Sequence, residues 1–252
     1  MDAKAGQCPY CDVSLAATGF RPARRPGFTD KLMPNGKMAV ALLLLVNTAI
    51  YLAILLSESN TLAQYGAKWL PGILSGDWYR LITAGYLHTQ FFHVFMNMAA
   101  LYNLGPIVEE LYGTRRMFAL YTVATVLGFA LSAMWSPRVP SLGASAGIFG
   151  LLGALIAYGM HSKSASAKHL QNQCLMNAGI GFIIGGLLPM IDNAAHLGGL
   201  IGGFVIAYVA GLPGWVDDTK EKLWGLVSLV SLLLTIWAFY ELTYRAFLRK
   251  LG

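Results

Sequence analysis

Pro140–Met160 reads PSLGASAGIFGLLGALIAYGM and stays apolar after its opening turn residues, with no charged residue or histidine before His161 and Lys163. A helix starting at Ala144 holds about 17 residues, the lower limit for crossing hydrocarbon. Such a short span begins below the membrane surface, which places Ser145 inside the bilayer profile at a helix N-terminus. The first amides of a helix lack intrahelical partners and attract developing negative charge. Gly143 and Gly147 put no side chain over the Ser145 hydroxyl, so another chain is free to approach it. A hydroxyl, free amides and open space suit a serine nucleophile. Small residues in a membrane helix also serve close helix packing, and the stretch taken alone favours that reading.

The rest of the chain agrees with a membrane setting. Of 252 residues, 56% are hydrophobic and only 12% charged. Soluble domains carry about 25% charged residues, so the composition predicts an all-α polytopic membrane protein with the lipid bilayer as its surroundings. The net charge of +6 is spread over loops, which argues against nucleic acid as a partner. No apolar signal segment occurs in the first 37 residues, so the N-terminus is expected to stay in the cytosol. With only three cysteines, a disulfide framework is excluded. Cys8 and Cys11 form a CPYC that resembles half a zinc knuckle, and no second ligand pair follows. They are weak metal candidates, and no cofactor is expected. Cys174 reads as filler at the start of a span.

The chain divides into a basic tail at 1–37 carrying CPYC, a six-helix core at 38–212, and a seventh span with a C-terminal tail at 213–252. The expected spans are 38–56, 92–111, 117–135, the opening stretch, 175–191, 194–212 and 223–242. Residues 57–91 are too polar to cross, and their aromatic residues suit the membrane interface. With the N-terminus inside, twelve basic residues fall on the inner side and six on the outer, which supports that orientation. Arg245, Arg249 and Lys250, on the outer side, dissent.

Polar groups inside a membrane are expensive and mark function by default. The spans contain only two histidines, His93 and His196. Ser145 and His196 both lie near the outer ends of their helices, and so do His93 and Asn97, which share one face at i, i+4 spacing. Neutral His196 is suited to accept the Ser145 proton as general base. Phe149, one turn beyond Ser145, is placed to hold the imidazole. Asn97, His93 and the Ser145 amide are candidate donors to an oxyanion. Asp192 is the one carboxylate near His196, and no orienting third member of a triad is evident. Singly, each residue has a plainer role: His93 as a core histidine, Asn97 as interhelical glue, Trp78 and Arg80 as interface anchors. Glu109 and Glu110 are placed to pair with Arg115 or Arg116.

Three motifs make the chain recognisable: GASAGIFG at Gly143–Gly150, AAHLGGLIGG at Ala194–Gly203, and HVFMNM at His93–Met98. Together they resemble the rhomboid family of intramembrane serine proteases. Weaker marks are WYR at Trp78–Arg80 and LGPIVEELYG at Leu104–Gly113, and the similarity runs from Gly76 to Gly211. The resemblance implies a six-helix bundle with a seventh C-terminal span and a Ser145–His196 dyad. It also implies an oxyanion site of His93, Asn97 and Ser145, and cleavage of transmembrane protein substrates through an acyl-enzyme. Gly143 and Phe149 are expected to support the site. Arg80 and Glu109 become structural, Gly199 and Gly203 mark a close contact between spans four and six, and span five with its following loop becomes the gate. One departure stands out: Ala146 follows the serine where the family has glycine.

Two rival readings remain. One is a family member that binds membrane clients without cutting them; such proteins usually lack the serine or the histidine. The other is a solute channel or transporter, which predicts paired intramembrane charges or inverted repeats. The sequence has neither. Short loops and absent targeting signals point to a bacterial inner membrane, and a homo-oligomer is left open.

Overall fold

The computed structural model describes residues 38–57, 59–162, 164–188, 190–211 and 218–247. Cys8, Cys11, Arg249 and Lys250 lie outside them. Ten α-helices follow in order: α1 Met38–Leu56, α2 Thr61–Gly66, α3 Leu70–Leu74, α4 Arg80–Thr83, α5 Phe91–Tyr112, α6 Thr114–Trp135, α7 Ser145–His161, α8 Ala165–Leu187, α9 Asn193–Ala210 and α10 Asp218–Ala246. A 3₁₀ turn at Ala84–Tyr86 follows α4. The described residues contain no strand, only an isolated bridge between Lys68 and Ser141. This is an all-α polytopic membrane protein.

Helices α1, α5, α6 and Lys222–Ala246 of α10 are long and apolar enough to cross a membrane, while Ser145–His161 and Asn193–Val209 are shorter apolar helices. Leu45, Phe91, Phe92, Ile183, Leu233 and Ile236 are all exposed, as befits side chains that face lipid rather than water. Helix α7 lies at the centre and is buried along nearly its whole length. Its neighbour α9 approaches it backbone to backbone. A Cβ at Gly199 would overlap the Ala146 carbonyl oxygen, and one at Gly203 would overlap that of Gly150. Without a hydrophobic force between helices in lipid, this close van der Waals fit is what holds the pair together.

Helix α8 differs from the expected span at 175–191: it begins ten residues earlier and ends at Leu187. Apolar content marks only the part of a helix that lies among apolar groups. Lys168, Gln171, Asn172 and Gln173 are sound helix formers or neutral enough to extend it, and Ser164 caps it by accepting from the Ala167 amide at 3.2 Å. Cys174 therefore sits mid-helix rather than at its start.

Two polar hubs fix the periphery. Glu109 of α5 accepts from the Ala39 and Val40 amides at 2.9 and 3.0 Å and from Thr114 Oγ1 at 2.7 Å. It thus caps the start of α1, because the orphan amides at a helix start attract a carboxylate. Glu109→Leu leaves two amides unpaired, and the expected loss is about 2–4 kcal/mol, read as a lower melting temperature in detergent.

Arg80 is 4% exposed, so it is a buried hub and not the interface anchor that its sequence neighbourhood suggested; Trp78 beside it is 59% exposed. The Arg80 guanidinium donates to the Gln64 and Ala67 carbonyls at 2.9 and 3.1 Å and to Asp77 at 3.0 Å. Arg245 of α10 meets the other Asp77 oxygen at 2.6 Å. The segment that carries Asp77 and Arg80 is thereby fastened to α10 through Arg245.

Candidate active site

The loop before α7 sets up Ser145. Gly143 has φ +133°, a conformation that favours glycine, and a Cβ there would lie 2.6 Å from His93 Cε1. The His93 ring therefore rests directly over the Gly143 backbone. The Gly143 amide donates to the Ala84 carbonyl at 2.8 Å, so the turn into α7 is held from below. Ser145 is the first residue of α7, where its own amide has no intrahelical acceptor.

Ser145, His93, Asn97, Phe149, Asp192 and His196 line one cavity of about 780 Å³ between α5, α7, α8 and α9. Polar residues from three helices, Ser145, His196, and the His93–Asn97 pair, are thus brought together. Gly143 touches this site through His93, whereas Gly199, Gly203, Arg80 and Glu109 lie outside the lining and act on the helices that carry it. The Phe149 ring stacks on the His196 imidazole at 4.0 Å and 12°. Phe182 of α8 closes on Phe149 edge-on at 5.3 Å, so α8 reaches the histidine through two aromatic rings. Its C-terminal part is fastened to α9 by Asn193, whose Nδ2 donates to the Phe182 carbonyl at 3.1 Å.

His196 is 5% exposed, and its Nδ1 has no hydrogen-bond partner among the described residues. Asp192 does not supply one. Its carboxylate caps α9, accepting from the Ala195 amide at 3.0 Å, and also accepts from Ser132. The Phe149 ring is what packs against the imidazole face.

The departure at Ala146 has a local account. Its side chain is fully buried, and it faces Gly128 of α6, where an added Cβ would come within 2.9 Å of the Ala146 methyl. The extra methyl is housed because the opposite wall is glycine. Only the geometry across α6 reveals this.

His88 is the residue that the sequence reading missed. It is fully buried, and its Nε2 accepts from the Ala144 amide at 3.3 Å and from Asn97 Nδ2 at 3.1 Å. A backbone amide only donates, so Nε2 carries the lone pair and the proton sits on Nδ1. Burial first, and then the neighbouring His93, lower its pKa to about 3. The second Asn97 hydrogen goes to the His93 carbonyl at 3.1 Å. His88 thus orients Asn97 and pins the turn before Ser145. Its only sequence signal was its position in a loop five residues before His93.

His88→Ala leaves the Ala144 and Asn97 donors unpaired, at an expected loss of about 1–3 kcal/mol for each buried group; His88→Gln, which keeps an acceptor, should recover part of it. The folded protein resists protonating His88 while the unfolded chain takes the proton near 6.5. Stability therefore falls as pH drops from about 6.5 toward 3, and His88→Gln should flatten that slope in melting curves.

Among the described residues, no group of three or more His, Cys, Asp or Glu is placed to hold a metal. A family model described as "Rhomboid domain" matches residues 75–213. The chain is 37% identical over 161 residues to the rhomboid protease GluP of Bacillus subtilis, covering 62% of this chain and 31% of that protein. It is 31% identical to RHOMBOID-like protein 6, mitochondrial, of Arabidopsis thaliana, covering 67% of this chain and 56% of that one. Inactive RHOMBOID-like protein 8 of the same plant is also similar, at 31% identity over 57% of this chain and 42% of its own. The chain thus spans between a third and just over half of these relatives' lengths.

Proposed function

This chain belongs to the rhomboid family, and from that premise we propose that it is an intramembrane serine endopeptidase that cleaves transmembrane segments of other membrane proteins. One observation carries the reading. Ser145 and His196 stand on two helices in backbone contact and open into the same cavity as His93 and Asn97. A helix pair packed this closely holds a nucleophile and its base at a fixed separation, which suits proton transfer between them.

In the proposed reaction a substrate helix enters beside α8 and unwinds, and Ser145 Oγ attacks a peptide carbonyl as His196 takes the proton. The tetrahedral oxyanion lies at the α7 N-terminus, where the Ser145 amide is unused and His93 is adjacent. Asn97 joins by giving up one of its present acceptors, the His88 nitrogen or the His93 carbonyl, so its share depends on substrate being bound. His196 returns the proton to the leaving amine, which yields an acyl-enzyme. It then deprotonates water entering from the outer face, and the ester is hydrolysed. The dyad itself requires no metal or organic cofactor. The proposed setting is a bacterial inner membrane with the N-terminus in the cytoplasm.

The inactive relative favours a second reading, a client-binding protein without activity. A fluorophosphonate probe separates the two. The protease reading expects covalent label on Ser145, located by mass spectrometry, together with cleavage of a model transmembrane substrate in liposomes. Folded protein that neither takes label nor cuts any of several substrates would overturn the protease reading and put the client-binding reading first.

A further inference from the structure

We infer that Lys68 and Asp192 form a buried ionic latch that positions the loop carrying Ser145 against the helix carrying His196. The inference rests on the proteolytic reading of the site.

Lys68 is fully buried, an unusual state for a lysine. Its ammonium donates to the Val139 and Ser136 carbonyls at 2.7 and 3.2 Å and lies 4.0 Å from an Asp192 carboxylate oxygen. Its backbone pairs with Ser141 in both directions, at 2.8 and 3.0 Å. The segment 136–141 is thus folded around one side chain, and it leads in four residues to Ser145. On the other side, Asp192 caps α9 through the Ala195 amide and accepts from Ser132 of α6. Its carbonyl accepts the His196 amide at 3.0 Å. The two supposed reacting residues therefore hang from the two ends of one ion pair. Ser141 and Asp192 also reach the cavity wall, so the latch borders the reaction space.

The surroundings hold both charges. Burial pulls the Lys68 ammonium downward, and Asp192 opposes that pull. Burial raises the Asp192 carboxyl, but bonds from Ser132, Ser141 and the Ala195 amide, with Lys68 nearby, outweigh it and keep the carboxyl below its usual range. A buried ion pair seldom adds net stability over apolar side chains of similar size, and its best-attested use is to fix a unique arrangement. The Phe149–His196 stacking and the α7–α9 glycine contact set the distance between helices, and Ala84 and His88 hold the turn next to Ser145, but none of these ties segment 136–141 to the start of α9. The pair supplies that constraint.

The test is a cycle of Lys68→Met, Asp192→Asn and the double variant in the full chain, because asparagine keeps the helix cap and removes only the charge. Melting temperature in detergent, fluorophosphonate labelling rate, kcat and KM are read for each. Asp192→Asn leaves the buried Lys68 ammonium without its counter-charge and Lys68→Met leaves the half-buried Asp192 carboxylate without its own, so both stability and kcat should fall. The double variant should regain the wild-type melting temperature while its kcat and labelling rate stay at least tenfold down, with KM within about threefold of wild type. A double variant that cuts and labels at the wild-type rate would overturn the positioning role, as would Asp192→Asn with normal kcat. If wild-type protein itself neither labels nor cuts, the proteolytic reading fails and takes the positioning role with it. Additive melting shifts across the cycle would separately show that the two charges are not coupled.

Discussion

Ser145→Ala and His196→Ala should each lower cleavage of a model transmembrane substrate by about 10⁴-fold or more, with the double variant no worse than either single. Non-additivity is the informative part. A nucleophile and the base that activates it act as one unit, so removing either removes the same step. The two variants should differ in stability, which identifies their roles. Ser145 is the first residue of α7 and only its hydroxyl is lost, so its melting temperature should hardly move. His196 is stacked on Phe149 at 4.0 Å, and aromatic pairs of this kind contribute about 0.5–1.5 kcal/mol beyond their buried area. His196→Ala should therefore melt a few degrees lower, and His196→Phe should recover the melting temperature without the activity. If His196→Ala retains substantial cleavage, another base is at work and the dyad is wrong.

The second large effect is expected at Gly203. A Cβ there would overlap the Gly150 carbonyl oxygen and come within 2.5 Å of its carbon. Those atoms belong to a helix backbone with no freedom to turn aside, unlike the tip of a flexible side chain. Gly203→Val must force α9 away from α7, and the expected destabilisation is about 3 kcal/mol or more, at the upper end for overpacked cores. His196, Gly199 and Gly203 are spaced three and seven apart and so share one helix face; displacing Gly203 therefore carries the histidine away from Ser145. Activity should disappear even at temperatures where most of the protein remains folded. Gly225→Ala in α10 is the control, since nothing lies within 4 Å of a Cβ there. It should leave cleavage unchanged and gain slightly in stability from the better helix former. Normal melting and cleavage in Gly203→Val would mean that the two helices have room to spare.

Much of this was legible in the chain because membrane sequences are constrained in a simple way. Every backbone group in hydrocarbon must be paired, so spans are helices, and apolar length marks them. Polar residues are rare enough there that Ser145, His93, Asn97 and His196 stood out as a set. Their common depth followed from counting spans. The start of α8 was not legible by the same rule, since a helix that continues through Lys168 and Gln173 has no apolar mark.

What lay beyond sequence was the identity of partners across space. Nothing in the sequence near Glu109 showed that its carboxylate would bind the α1 amides, seventy residues away in the chain. Arg80 looked like a surface anchor until Asp77, Gln64 and Ala67 closed around it. His88 carried no periodicity, and its importance comes from accepting a hydrogen bond that the turn before Ser145 needs. Ala146 looked like a defect, and Gly128 on another helix accommodates it. The sequence by itself determined that this chain crosses a membrane as helices and which polar residues share one level of the bundle, because those properties depend on composition and spacing along one dimension. Tertiary structure alone decided which donor meets which acceptor, and how near two backbones come, because both depend on side-chain volume and direction where helices cross.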